Sequence, residues 1–149
     1  MRLTAPEALH VQVEDPSAFA ETYTRLQGEY PDARTWRVRG DRMATARAAF
    51  DELGAALQLP YYFGGNWAAL EDCLLDLDWA PATDYLLLVC DAHLALADEP
   101  DQLPSLLGSL VRAHEAWQPR SFRTVLQVPA GADDALWSRL AQAGQATAV

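Results

Sequence analysis

A chain of 149 residues, half of them hydrophobic and 21% charged, can bury a core without metal or disulfide support and is too apolar for a disordered tail. Its net charge of −10, from 21 acidic against 11 basic side chains, argues against a nucleic-acid partner, because affinity for a phosphate backbone comes largely from cationic contacts. A basic protein partner suits such a chain better. The opening MRLTAPEALHVQVEDPS lacks the apolar core of a signal peptide, and no window approaches about 18 apolar residues, so a cytoplasmic protein with no membrane association is expected. Cys73 and Cys90 are both embedded in apolar patterns, which fits reduced, buried thiols better than a disulfide framework or a zinc site.

LHVQV at 9–13 alternates like a half-buried strand, and Asp15-Pro16 supplies an N-cap with proline at the first helical position. The spacing predicts a helix to about residue 27, with Phe19, Tyr23 and Leu26 as its apolar stripe. After the turn EYPDA, TWRVRG at 35–40 reads as a short strand ending at Gly40. Met43, Ala46, Phe50, Leu53 and Leu57 recur at helical spacing, and Pro60 bounds that helix. TDYLLLVC at 83–90 is a nearly unbroken apolar run, as expected of a central strand covered on both faces. Residues 104–117 carry Leu106, Leu107, Leu110, Val111, His114 and Trp117 at helical intervals, FRTVLQV at 122–128 is the next strand, and PAGADD turns into a last helix bearing Leu136, Trp137 and Leu140. Helix-containing crossovers separate the strands, so the expectation is an α/β fold with a parallel sheet.

The stretch YYFGGNWAALEDCLLDLDW, 61–79, is a loop that opens into a helix. At 100° per residue, Trp67, Leu70, Cys73, Leu74 and Leu77 share a buried arc, while Ala68, Asp72, Leu75, Asp76 and Trp79 share the opposite one. Carboxylates beside exposed apolar groups are common in recognition surfaces, although a solvated face with Leu75 and Trp79 packed under the N-terminal segment is the plain alternative. Asp76 and Asp78 stand where the helix dipole disfavours negative charge, at a cost of roughly 0.3–1 kcal/mol each. Asn66 reads as the N-cap, Gly64-Gly65 allows positive φ and close backbone approach, and Tyr62 is expected beside Asp72. A phosphate loop is disfavoured by the missing lysine and the acidic surroundings, and a tight turn that positions the cap would by itself account for both glycines.

LPYYFGGNWAALEDCL resembles the signature of barstar, the intracellular inhibitor of the bacterial ribonuclease barnase. The positions that carry the likeness are Leu59, Pro60, Tyr62, Phe63, Gly64, Asn66, Trp67, Ala69, Leu70 and Asp72, with unbroken spacing. It extends to Gly40, DYLLLVCDAHLA and TVLQV, giving a family core of about 35–128 within a single domain of 1–149, flanked by an N-terminal extension, 1–34, and a C-terminal helical one, 129–149. The resemblance implies a small three-stranded parallel sheet packed by helices, to which the extensions add a strand-helix and a helix. It implies an inhibitor or immunity protein for a basic ribonuclease or ribonuclease toxin. Tyr62 would cover the rim of the partner's active site, Gly64 would admit its backbone, and Asp72 would mimic a substrate phosphate. This chain departs from the family in having Ala68 where an acidic contact is usual and Glu71 where an aromatic is usual. Asp76 and Asp78 would move the missing charge to the other end of the strip.

The candidate partner surface is therefore Tyr62, Phe63, Gly64, Gly65, Ala68, Glu71, Asp72, Leu75, Asp76 and Trp79, on a monomer without metal or cofactor. The alternative is a non-inhibitory interaction module on the same fold. An enzyme is disfavoured, since His10, His93 and His114 fall in separate segments away from the carboxylates and no nucleophile or metal motif accompanies them.

Overall fold

The structure, a computed structural model, describes residues 8–144. The outer ends of the two proposed extensions, 1–7 and 145–149, lie outside it. Four strands, β1 (Leu9–Val13), β2 (Ala33–Arg39), β3 (Asp84–Cys90) and β4 (Ser121–Val128), form one parallel sheet in the order β1-β4-β3-β2. The helices are α1 (Pro16–Glu29), α2 (Ala46–Leu57), α3 (Trp67–Asp76), α4 (Leu103–Trp117) and α5 (Asp133–Gln142). The sheet thus has four strands where the resemblance implied three. The reason is that β1 pairs directly with β4 instead of standing apart from the family sheet.

The path from β1 to β2 crosses the whole sheet in one direction, and the path from β2 through β3 to β4 steps back in the other. Right-handed crossovers then put α1 on one face and the helices that follow β2 and β3 on the other. The packing follows that rule. Phe19 and Leu26 of α1 bury Leu86, Leu88 and Val125, with Tyr23 and Cys90 at the margin. On the opposite face Leu53, Leu70, Leu74, Leu107, Leu110, Leu136 and Leu140 pack over Val38, Leu87, Val89 and Leu126. The apolar run at 85–89 is accordingly buried on both faces of an inner strand. Cys73 is buried and Cys90 half-buried, both as free thiols.

Local chemistry sets the element ends. Asp15 accepts from the Ser17 amide at 2.8 Å, with Pro16 opening α1. α2 begins three residues later than the apolar spacing predicts, because the Thr45 hydroxyl caps the Ala48 amide at 3.1 Å and Glu99 accepts from the Ala46 amide at 2.8 Å. Met43 is fully buried in the connection before it. At Gly40, where β2 passes into a 3₁₀ turn, a Cβ would collide with the backbone carbonyls of Asp91 and Cys90. Close approach, and not a positive φ, therefore requires glycine there. Gln127, fully buried, accepts from the Asp91 amide at 2.7 Å and donates to the Glu14 carbonyl at 2.6 Å, tying together the ends of three strands.

Candidate partner-binding site

The segment between α2 and α3 is held from below. Gln58 leaves α2 in the left-handed region (φ 53°), Leu59 N–H donates to the Gly54 carbonyl at 3.0 Å, and Phe63 N–H closes a turn on the Pro60 carbonyl at 2.8 Å. The Phe50 ring of α2 meets Phe63 edge-on at 6.0 Å between centroids and Trp67 at 4.6 Å. Trp67 Nε1 donates to Gln102 at 2.7 Å, which links the start of α3 to the start of α4. Gly65 takes φ +67°, and Asn66 caps α3 by accepting from the Ala69 amide at 2.8 Å.

α3 buries Leu70, Cys73 and Leu74, and Leu77 is buried just beyond it, as the spacing predicts. Ala68, Asp72, Leu75 and Asp76 are exposed on the other side, and Tyr62, Gly64 and Gly65 are exposed in the loop. Asp72 has no ion-pair or hydrogen-bond partner among the described residues. Tyr62 lies by Asp76, not by Asp72: its hydroxyl donates to Asp76 Oδ2 at 3.2 Å. That bond gives Asp76 a donor at a helix end that lacks basic side chains. Partial desolvation, the hydrogen bond to Asp76 and the negative field of Asp76, Cys73 and Asp78 raise the Tyr62 hydroxyl above its usual value. Burial, with Asp72 and Asp76 nearby, likewise raises the Cys73 thiol.

Three of the ten sequence candidates turn inward. Phe63 is half-buried on Phe50. Glu71 forms an ion pair with Arg112 of α4, so it joins two helices. Trp79 stacks on Trp36 of β2 at 6.2 Å. Helical spacing does not reach Trp79, because α3 stops at Asp76 and Leu77 enters the left-handed region (φ 49°), redirecting the chain into a turn in which Ala80 N–H donates to the Leu77 carbonyl. Asp78 thus stands exposed beyond the helix and not on its last turn. Tyr61 adds a surface the sequence reading missed: it is fully exposed, with its ring edge-on to Tyr62 at 6.0 Å. The available signal was an aromatic at a position the family pattern leaves open.

The histidines lie elsewhere. His10 is on β1, His93 follows β3, and buried His114 of α4 donates from Nδ1 to the Phe122 carbonyl at 3.0 Å while Nε2 accepts from Gln118 at 3.2 Å. Among the described residues no three His, Cys, Asp or Glu side chains gather closely enough to hold a metal ion, and no helix is long and apolar enough to cross a membrane.

A comparison with curated proteins finds no match. Among solved structures, two of the ORC2 protein of Aeropyrum pernix are similar. The ADP form shares 12% identity at a TM-score of 0.59 over 93% of this chain. The form with ADPNP and ADP shares 12% at 0.57 over 90%. This chain spans only 38% and 36% of those chains, and at such identity the likeness is one of fold alone. The family model described as Barstar (barnase inhibitor) matches residues 33–128, a span that runs from the first residue of β2 to the last of β4 and includes the whole α3 surface. On that match over most of its length, the chain belongs to the barstar family of barnase inhibitors.

Proposed function

We propose that this protein inhibits a basic bacterial ribonuclease or ribonuclease toxin by placing α3 and its preceding loop in the enzyme's active site, with no catalysis of its own. The observation that carries the reading is Asp72: an exposed carboxylate midway along α3, without a cationic partner among the described residues, at the position where the family resemblance places its key acid. Such a group is free to replace a substrate phosphate among cationic side chains. Tyr62, Gly64, Gly65, Ala68, Leu75 and Asp76 form the contact surface around it, while Phe63, Glu71 and Trp79 brace that surface from within. The net charge of −10 would steer a cationic enzyme toward it.

The second reading, an interaction module that binds some other protein, is favoured by Ala68 and by the Glu71–Arg112 pair, which leave one turn of α3 without the family's usual contacts. Affinity capture from lysate and culture medium with native protein and with Asp72→Ala separates the two. The expected outcome is one basic ribonuclease that is lost with the variant. Inhibition by Asp72→Ala should weaken by about 2–5 kcal/mol, the cost of truncating one member of a desolvated charge pair. Asp76→Ala and Asp78→Ala should act mainly on the association rate and its salt dependence. Unchanged inhibition by Asp72→Ala would remove the phosphate-mimic mechanism, and capture of a protein without ribonuclease activity would favour the second reading.

A further inference from the structure

On the sheet face opposite α3, α1 stops before the sheet does. Its apolar stripe covers Leu86, Leu88 and Val125, and it ends at Glu29 with Tyr30 as its cap. Beyond that cap, at the amino ends of β2, β3 and β4, lies a cleft of about 270 Å³ lined by Tyr30, Thr35, Asp84, Leu86, Ser121 and Arg123. The register explains why these meet. Thr35, Leu86 and Arg123 form one cross-strand row, and Asp84 and Ser121 belong to the row below.

Two polar atoms in this lining, Arg123 Nε and Thr35 Oγ1, are fully buried and hydrogen-bonded to nothing among the described residues. Buried polar groups are ordinarily paired, and a guanidinium edge most of all, so Arg123, which lines the cleft and has no hydrogen-bond or ion-pair partner among the described residues, is a cation still short of an acceptor. Asp84 does not supply it: its Oδ1 is engaged by the Ser121 hydroxyl at 2.7 Å and amide at 3.3 Å. We propose that this cleft binds a small carboxylate with a flat apolar body. The guanidinium of Arg123 would take the carboxylate oxygens, a rotation of the Thr35 side chain would bring its hydroxyl to the same group, and the body would lie against Leu86 and the half-exposed ring of Tyr30. Asp84 sets the preferred charge. A fixed carboxylate in the same lining repels a second negative charge on the ligand, so a monoanionic carboxylate fits better than a phosphate dianion.

The site shares no residue with the α3 surface, so it stands or falls independently of the inhibitor reading. The test is titration of isotopically labelled full-length protein with benzoate, phenyl phosphate and benzamide, followed by amide NMR shifts. Benzoate should give saturable shifts at residues 33–35, 84–86 and 121–123. Phenyl phosphate should bind at least tenfold more weakly, and benzamide should give no saturation. Arg123→Gln should weaken benzoate at least tenfold. Tyr30→Ala, which lies outside the sheet and keeps the fold, should weaken it severalfold even if Arg123→Gln does not fold. Asp84→Asn should narrow the gap between benzoate and phenyl phosphate. Absence of saturable shifts at these residues, equal binding of benzamide, or benzoate binding unchanged in the variants would overturn the proposal.

Discussion

At Gly65 the backbone takes φ +67°, a conformation that costs an L side chain about 1–2 kcal/mol. Its neighbour Gly64 has no such constraint. A Cβ there would meet only Asn66 Nδ2 at 3.5 Å and Ala69 Cβ at 3.8 Å, which is ordinary contact. The fold therefore favours glycine at 65 and has no steric need of it at 64, where the proposed partner would bring its backbone close. Gly65→Ala should lower stability by about 1 kcal/mol in urea denaturation. Gly64→Ala should leave stability unchanged or raise it by up to about 1 kcal/mol, yet weaken partner binding. A destabilised Gly64→Ala protein with intact binding would show that the glycine serves the fold. Glu52 offers a test by pH. Its carboxylate accepts from Arg39 Nε and Nη2, both at 3.0 Å, and from the Arg39 amide at 2.9 Å, and these bonds hold it below its usual value of 4.5 against the opposing effect of burial. A depressed carboxylate stabilises the fold above its unfolded pKa and loses that contribution as pH falls through the folded value. Glu52→Gln should therefore be less stable than the native protein at pH 7, with the gap closing below about pH 4.5. Denaturation curves at pH 7 and pH 3 measure that gap.

The element on which the proposed function depends is α3, and its buried side can be tested without a partner. Leu70 is fully buried beneath the surface strip, so Leu70→Ala should cost about 2–5 kcal/mol through the cavity it leaves. Near-zero loss would mean that the helix presents its other face to the core. The inward arc of α3 was legible in the sequence because helical periodicity alone fixes which side chains share a side. So were the four strands, since alternation in LHVQV and continuous apolarity in YLLLV report different degrees of cover. The element ends were less legible. Met43 keeps the apolar spacing of α2 but precedes the Thr45 cap, and α3 stops on Leu77, a left-handed residue without the glycine that usually signals one. The inward turn of Phe63, Glu71 and Trp79 was beyond sequence reach for a common reason. Each is held by a side chain from another element, Phe50, Arg112 and Trp36 respectively, and no local pattern records those pairings.

For the molecule as a whole, β1 and α1 lie outside the matched family span, yet β1 adds a strand to the sheet and α1 covers one of its faces. A variant beginning at Pro31 would expose Leu86, Leu88 and Val125 and open the outer edge of β4. Losing the burial of Phe19 and Leu26 alone is worth about 1.5–3 kcal/mol each, which should lower the thermal midpoint by roughly 10 °C or more. Circular dichroism on heating measures it, and an unchanged midpoint would show that the fold does not depend on β1 and α1.

The bond from Gln127 to the Glu14 carbonyl spans 113 residues, and among the described residues β4 is the one sheet neighbour of β1. A ribosome delivers β1 and α1 first and β4 much later, at about 5–20 residues per second, so the first strand is without its place for on the order of ten seconds. During that interval the stripe of Phe19 and Leu26 lacks Val125 and, at first, Leu86 and Leu88, the side chains it covers in the finished fold. Docking of β1 therefore closes the sheet last, after the helices of the opposite face already have β2 and β3 to pack on.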